Sequence, residues 1–375
     1  MNRNIKLLYG FSFFDQFMIV IALWVPYFAT KGIGMRQFME LQAVFAIVIL
    51  CGEVPSGLLS DLWGRQKTLL LGSTLKAVSF SLLPLWSSYE GFLFYHLTMG
   101  IALSMISGGD VALLWDSYLA EGGEKSRGAA VLGNATLAAQ MGTTVSALLG
   151  GAVVTLSYGH LLWANAILSW IPVLLVLCIA EPPASYERPK KWAQNLKEVL
   201  SATLVRDTAT RLVFLNLVVW GSGALVMFWV NQKYWQETAV PLPWFGVLLA
   251  AYNLIDGFAA KSAAFGATRY GRRPLLAVVG VLPIVAYFGM ASFFGWGGIL
   301  FGFLFKIGRG VLSLSQLGLR ASFCLLGPLV GYGIDAWGLP SVLSALGILF
   351  SIAFVCLLLP LALRETALIT KEASP

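Results

Sequence analysis

The sequence predicts an all-α integral membrane protein, and three observations support that prediction. Hydrophobic residues make up 58% of the 375 residues, charged residues only 11%, and the mean hydropathy is +0.78. A soluble domain carries about 25% charged residues. Apolar stretches of about 20 residues, the length that crosses a bilayer core, recur along the whole chain. The cations are concentrated in alternate connections between these stretches.

The apolar stretches define about twelve predicted transmembrane spans. They cover residues 5–28, 38–60, 67–87, 91–119, 128–157, 160–180, 210–230, 243–266, 274–293, 297–317, 321–337 and 340–363. An even number of spans places both termini on the same side of the membrane. The longest polar connection, residues 181–209, begins with Pro182 and Pro183 and separates six spans from six. Its middle fits either an amphipathic helix on the membrane surface or a solvated linker.

The positions of the cations predict the orientation. Of the 25 lysines and arginines, 18 lie in the terminal tails and in the connections on the same side as the tails. The opposite connections hold only Lys31, Arg36 and Lys233. Because cytoplasmic loops are enriched in lysine and arginine, both termini are predicted to be cytoplasmic. These cations lie in short loops rather than in a basic tract, so the net charge of +7 does not indicate nucleic-acid binding.

The connection between spans 2 and 3 carries the most specific pattern, GLLSDLWGRQK at residues 57–67. With the preceding Glu53, its key residues are Gly57, Asp61, Gly64, Arg65 and Lys67. This spacing resembles the loop between helices 2 and 3 of bacterial major facilitator superfamily (MFS) transporters. Gly271 and Arg272 repeat part of it in the second half, with Thr268 in place of Asp61. The resemblance implies the MFS fold, with six-helix bundles at 1–180 and 210–375 joined by a cytoplasmic linker at 181–209.

The same resemblance implies a cytoplasmic gate at this loop. Glu53, Gly57 and Asp61 are four residues apart and therefore share one helix face. Asp61 is expected to pair with the N-terminal end of helix 11, where the helix dipole favours a carboxylate. Arg65 is expected to bind nearby acids or phosphate headgroups. Leu62 stands where the family usually has an arginine, so one gate ion pair is missing or displaced.

Span 5 has four glycines, Gly133, Gly142, Gly150 and Gly151, whose spacing resembles the antiporter motif of the family. Ser146 and Ala147 stand where that motif has Gly-Pro. This resemblance favours the branch of drug–proton antiporters, whereas ordinary packing of small residues explains the glycines equally well. Residues 297–337 are barely enough for two spans and a loop. We therefore expect a shortened helix 11, which leaves an inactive family member as an alternative.

Ionisable residues inside membrane spans are costly and often functional. The resemblance places helices 1, 4, 7 and 10 around the central cavity, and these spans contain Asp15, Asp110, Lys306 and Arg309. We expect Asp15 to carry the coupling proton, with Asp110 as the alternate and Lys306 as a competitor for Asp15. Each acid could instead form a structural ion pair. Lys76 and Lys261 receive no role.

Three functions remain open at this point. The first is proton-coupled efflux of a small amphipathic solute, and the second is uptake of a small anionic or polar solute at Lys306 and Arg309. The third is a non-transporting, degenerate family member. The sequence has no nucleophile–base constellation, no phosphate-binding loop and no metal-type cluster, so no enzyme activity, cofactor or metal is expected. We expect a monomer in the bacterial inner membrane that binds lipid, substrate and protons or another coupling ion.

The topology generates the first testable prediction. Alkaline phosphatase is active only outside the cytoplasm, so its fusion to the C-terminus should give background activity. A fusion after Gly32 should give high activity. This connection holds few cations, Lys31 and Arg36, and is therefore predicted to lie outside the cytoplasm. Strong activity of the C-terminal fusion would refute the predicted orientation.

Overall fold

The computed structural model describes residues 3–182, 208–270, 272–310, 316–361 and 363, and all regular secondary structure in these ranges is helical. This confirms the predicted all-α fold. The first nine helices are α1 (Arg3–Asp15), α2 (Trp24–Thr30), α3 (Met35–Trp63), α4 (Arg65–Leu82), α5 (Tyr89–Ile106), α6 (Gly109–Ala120), α7 (Gly128–Val153), α8 (Tyr158–Leu168) and α9 (Ile171–Leu177). Short 3₁₀ turns at Ile21–Leu23, Leu83–Leu85 and Lys125–Arg127 precede or follow them.

Six further helices follow the linker. They are α10 (Thr208–Glu237), α11 (Leu242–Tyr270), α12 (Arg272–Ser292), α13 (Trp296–Gly310), α14 (Gln316–Trp337) and α15 (Leu339–Ala353), which continues into a π turn at Phe354–Leu358. Residues 183–207, where an amphipathic helix or a solvated linker was predicted, lie outside the described residues.

Each predicted span coincides with one helix or with two consecutive helices. Within the described residues, seven helical segments are long and apolar enough to cross a membrane, and three shorter apolar helices accompany them. Spans 1, 4 and 6 are each divided in two, as α1–α2, α5–α6 and α8–α9. Helix 11, which was expected to be short, corresponds to α14, which has 22 residues and a length of about 33 Å at 1.5 Å per residue.

Two of the three breaks have a local cause in the sequence. Between α5 and α6 the chain passes through Gly108, whose φ of 79° is in the left-handed region that glycine tolerates best. Pro172, at the start of α9, cannot donate a hydrogen bond to the preceding turn and therefore ends α8. The break after Asp15 depends on a tertiary contact, described with the site below.

The described residues divide into two compact units. The first unit takes its residues from 1–188 and also includes Val240–Asn253, the beginning of α11. In this unit α1 packs against α6, α7 and α9, while α4 packs against α5, α6 and α9. The apolar side chains of Leu8, Leu69, Leu113 and Val176 hold four of these helices together. This core fixes the relative positions of α1, α4 and α6, which carry the charged residues of the unit.

The second unit is built around α12, which packs against α13 and α15, while α10 packs against α14. Tyr287 of α12 contacts Phe305 of α13 and Phe350 of α15, with ring centroids 5.4 and 5.3 Å apart. The Nδ2 group of Asn216 in α10 donates a hydrogen bond to the Leu357 carbonyl within the π turn, at 3.0 Å. This bond satisfies a backbone acceptor where the last helix departs from α geometry.

Candidate functional site

A buried ion pair lies where α1 ends. The Lys76 Nζ atom of α4 is 2.7 Å from Asp15 Oδ1 and 2.5 Å from the backbone oxygen of Asp15. Asp15 and Lys76 are 5% and 4% exposed, respectively. The last carbonyls of a helix lack partners within the helix and carry partial negative charge. One ammonium group therefore neutralises a carboxylate and caps a helix end in the membrane interior.

Asp110 lies beside the break in a second span. It is in the first turn of α6, directly after Gly108, and its side chain is half-buried. The start of a helix favours a carboxylate, because the helix dipole is positive there. Asp15 and Asp110 therefore each lie next to the break in their own span.

The second unit has a simpler arrangement. Lys306 of α13 is 3% exposed, and its Nζ atom lies 3.4 Å from Asp256 Oδ2 of α11. This pair has one charge of each sign. The side chain of Arg309, which was predicted to accompany Lys306 in the cavity, lies outside the described residues.

The turn between α3 and α4 holds a second group of charges. Gly64 has a φ of 102°, a conformation that strains any residue with a Cβ atom. The Arg65 Nη1 group donates to the Ala112 carbonyl at 2.8 Å and lies 2.5 Å from Asp116 Oδ2. This ion pair joins the start of α4 to α6.

Glu181 completes this second group. Its two carboxylate oxygens accept hydrogen bonds from the backbone N–H groups of Arg65 and Gln66, at 2.8 and 2.7 Å. The first N–H groups of a helix have no partners within the helix, and the helix dipole favours an anion there. We call Arg65, Asp116 and Glu181 the turn clamp, because together they hold the start of α4, the middle of α6 and the segment after α9.

The remaining residues of the predicted gate lie beside the turn clamp. Gly57, Asp61 and Lys67 are exposed, and Glu53 is half-buried. A Cβ atom added to Gly57 would meet no atom within 4 Å among the described residues. Leu62, in the place of the usual arginine, is 72% exposed.

Three of the four predicted glycines of α7 make close backbone contacts. A Cβ atom on Gly142 would overlap the carbonyl oxygen of Phe13, and one on Gly150 would overlap that of Ile19. On Gly151 it would overlap the carbonyl oxygen of Pro243, within the first unit. Gly133 is exposed, with no atom of the described residues within 4 Å of such a Cβ. Phe13 and Ile19 flank Asp15, so the small face of α7 lies directly against the broken part of span 1.

His96 is buried, and its hydrogen bonds indicate a structural role. Its Nδ1 atom is 2.7 Å from the Phe92 carbonyl, which can only accept a hydrogen bond, so Nδ1 carries a proton. Its Nε2 atom lies 3.2 Å from Gln42 Nε2, which donates to it. The ring is therefore held in one neutral tautomer. In the ranges that the structure describes, no group of three or more histidine, cysteine or acidic side chains could hold a metal.

Comparison with known proteins identifies the family. A sequence model of the Major Facilitator Superfamily matches residues 6–319. The chain belongs to this superfamily. Its members are transporters, and the multi-pass helical fold agrees with that membership. None of the curated proteins that were compared with the chain matches it in sequence.

Solved transporter structures share the MFS fold at low sequence identity. The nucleoside transporter NupG is 14% identical, with a TM-score of 0.77, and the alignment covers 96% of this chain and 99% of NupG. A peptide-bound POT family transporter gives 14% identity and a TM-score of 0.74 over 98% and 96% of the two chains. A D-xylose–proton symporter gives 14% identity and a TM-score of 0.68, and the alignment covers 94% of this chain and 96% of the symporter.

Within this MFS chain, sequence reasoning missed three partners of the predicted site residues. Lys76 had no predicted role, but it is the partner of Asp15, whereas Lys306 is paired with Asp256. Glu181 was read only as the start of the linker. One signal could have identified it: an acid directly after an apolar span is suited to meet the N-terminus of a neighbouring helix.

The glycine contacts of this MFS chain generate the second prediction. Gly150→Ala should destabilise the purified protein by about 1–3 kcal/mol, because the new methyl group meets backbone that cannot rotate away. Gly133→Ala is the matched control on the same helix. It should be neutral or stabilising by up to about 1 kcal/mol, because alanine favours the helix. Thermal melting in detergent measures both, and equal melting temperatures of the two variants would contradict the close approach.

Proposed function

We propose that this MFS chain is a proton-coupled secondary transporter that exports a small amphipathic solute by alternating access. In this proposal it acts as a monomer in a bacterial inner membrane with both termini in the cytoplasm. The bundles at 1–180 and 210–375 move relative to each other, joined by the linker at 181–209. The observation that carries the proposal is the buried Asp15 carboxylate at the broken end of α1.

The argument starts from the energetic cost of the charges. Removing two ions from water costs several kcal/mol each, and their mutual attraction repays this only when the geometry is excellent. A buried ion pair is therefore weak support for stability and better support for function, above all inside a membrane span. Transporters also place coupling ions at the ends of interrupted helices, where unpaired backbone groups are available. Asp15 satisfies both conditions.

The turn clamp supports alternating access. Arg65, Asp116 and Glu181 connect α4, α6 and the segment after α9 by charge-assisted hydrogen bonds, which are stronger than neutral ones. In the proposal, the turn clamp and Gly64 form the fixed part of the cytoplasmic gate. The exposed Asp61 and Lys67, with Glu53 and Gly57 on the same helix, form the part that makes and breaks contacts during the cycle.

The choice of efflux rests on α7. Its glycines match the spacing of the antiporter motif, and Gly142, Gly150 and Gly151 have backbone of neighbouring segments where a side chain would be. Close approach of α7 to both sides of Asp15 ties the motif to the proposed proton site. The named function of the D-xylose–proton symporter supports the view that this fold can couple a solute to protons.

Uptake of a small anionic or polar solute is the second candidate. The nucleoside, peptide and sugar transporters that share the fold support a polar substrate. Lys306 and Arg309 would then bind the solute. Because Lys306 lies 3.4 Å from Asp256, a solute anion would have to displace or share that carboxylate. This competition makes uptake the less favoured of the two candidates.

The direction of transport can be tested in everted vesicles that are acidified by respiration and contain a pH-sensitive dye. An exporter that exchanges solute for protons should release the gradient when an amphipathic probe such as ethidium is added. An uptake symporter should instead alkalinise the medium of right-side-out vesicles when a small anion such as lactate is added. A chain that gives neither response with a broad panel of both kinds of probe would favour the non-transporting alternative.

Asp15→Asn provides the third prediction. It should abolish gradient-driven accumulation of the probe, because an amide cannot exchange a proton, while energy-independent exchange remains measurable. Asp15→Glu should retain part of the coupling. Breaking a buried ion pair can cost about 3–5 kcal/mol, so membrane levels and melting must be measured alongside transport. Wild-type accumulation with an unchanged pH dependence in Asp15→Asn would assign Asp15 to structure alone.

Asp61→Asn provides the fourth prediction. The substitution keeps the shape of an exposed side chain and removes its charge, so expression should be normal. If Asp61 stabilises one state of the gate, loss of that differential contact shifts the balance between inward- and outward-facing states and slows transport. Glu124→Gln is a matched control, because Glu124 is also exposed and its carboxylate contacts only near neighbours in the same loop, Ser126 at 3.2 Å and Arg127 at 3.7 Å. Equal transport rates in the two variants would remove Asp61 from the gate.

A further inference from the structure

The π turn near the end of the last span has a cause in the sequence. The turn covers Phe354–Leu358, and Pro360 follows two residues later. In an α-helix this position would donate a hydrogen bond to the Cys356 carbonyl, but proline has no N–H group and its ring crowds that carbonyl. In the structure the Leu359 N–H group instead reaches back five residues, to the Phe354 carbonyl. The wider π turn thus replaces an α turn that Pro360 disfavours.

One side chain of α10 binds this wider turn. The Asn216 Nδ2 group donates to the Leu357 carbonyl at 3.0 Å and to the Leu212 carbonyl at 2.8 Å. The Asn216 Oδ1 atom accepts a hydrogen bond from the Trp220 Nε1 group at 3.1 Å. Because an indole nitrogen can only donate, this bond fixes which end of the amide carries the N–H groups. Asn216 is 4% exposed, so its amide is a buried donor held in position against the π turn.

Two glycines of neighbouring helices leave room for the side chains of this region. A Cβ atom added to Gly280 of α12 would overlap the side chains of Phe354 and Leu358. A Cβ atom added to Gly223 of α10 would overlap the ring of Phe350, one turn before the π turn. Both neighbouring helices therefore fit closely around this part of the last span. The π turn is a packed element of the second unit rather than a frayed helix end.

We propose that Phe354–Leu358 is a two-state joint, in which the Asn216 amide holds the π form. The π form alone is unfavourable, as the rarity of π-helices indicates, and the α form lacks the backbone bond that Pro360 cannot donate. With both forms penalised, one hydrogen bond from a neighbouring helix decides between them. When α10 withdraws the amide from the Leu357 carbonyl, the segment changes to an α form that bends at Pro360. Local changes of this kind are how membrane helices tolerate proline.

The joint links α10 to the orientation of the end of the last span. A π turn contains one residue more than the α turn it replaces, so its loss rotates the residues that follow by about 100°, at 3.6 residues per turn. Leu359 and Leu363, which are 41% and 62% exposed, would then point to a different side of the helix. The use of this rotation in alternating access rests on the proposed function, whereas the joint itself does not.

Nuclear magnetic resonance of the purified chain can observe the joint at a single peptide bond. A valine is followed directly by a cysteine only at Val355–Cys356, inside the π turn. Labelling valine carbonyls with ¹³C and cysteine nitrogens with ¹⁵N therefore gives one carbonyl–nitrogen signal, whose position depends on the backbone conformation. We expect Asn216→Leu to move this signal toward the position typical of a regular α-helix. Leucine keeps the branched shape of asparagine but cannot donate a hydrogen bond.

Two controls separate the joint from a general disturbance of the second unit. Phe323–Cys324 on α14 is the only place where a cysteine follows a phenylalanine, so labelled phenylalanine gives one reference signal with the same cysteine label. This reference should stay in place in Asn216→Leu. Ser222→Ala removes another buried polar group of α10, whose hydroxyl bonds to carbonyls of its own helix. It should leave both signals at their wild-type positions.

A second variant tests the joint if Asn216→Leu fails to fold. In Pro360→Ala the new N–H group can donate to the Cys356 carbonyl, so the α form gains the bond it lacks. The Val355–Cys356 signal should move in the same direction as in Asn216→Leu. A signal at the wild-type position in either folded variant would overturn the joint. The expected movement in a chain that transports no solute would refute the proposed function and leave the joint in place.

Discussion

The first unit depends on one contact, the ion pair between Lys76 and Asp15. The ammonium group satisfies the Asp15 carboxylate and the Asp15 carbonyl together, at 2.7 and 2.5 Å, so it compensates for both the buried charge and the interrupted helix. Without it, the end of α1 would expose an unpaired acceptor and an anion in the membrane interior, where neither can find water. The glycine face of α7 then closes on both sides of the break, at Phe13 and Ile19, because only residues without a Cβ atom permit that approach. A break that would destabilise an isolated helix is thus enclosed by its neighbours.

Helices α4 and α6 connect this contact to the turn between α3 and α4. On α4, Arg65 and Lys76 are eleven residues apart, about 16 Å along the helix, and on α6, Asp110 and Asp116 are about 9 Å apart. Arg65 and Asp116 bridge the two helices beside the turn. A helix transmits a displacement of one end to the other, because its backbone is hydrogen-bonded throughout. A displacement of Lys76 would therefore reach the turn clamp along α4.

Much of the fold could be predicted from the sequence, whereas the pairing of the charges could not. Length and hydropathy predicted where the helices lie, because a bilayer imposes a fixed apolar length on each span. The glycines of α7 were recognisable because close backbone contact requires glycine, although Gly133 fits the same spacing without such a contact. Ion pairs between helices leave no comparable signal. Lys76 and Lys306 look alike in sequence, each a lone cation in an apolar span, and only the packing of α4 beside α1 makes Lys76 the partner of Asp15. Glu181 was similarly hidden, since its role depends on the end of α9 returning to the start of α4.

The two units hold their buried ion pairs in different backbone settings. In the second unit, the Lys306 Nζ atom lies 3.4 Å from Asp256 Oδ2, and both residues are inside unbroken helices. In the first unit, Lys76 contacts both the carboxylate and the carbonyl oxygen of Asp15, at a broken helix end. The interrupted backbone at Asp15 therefore distinguishes the two ion pairs, because there one ammonium group satisfies a side chain and a helix end together.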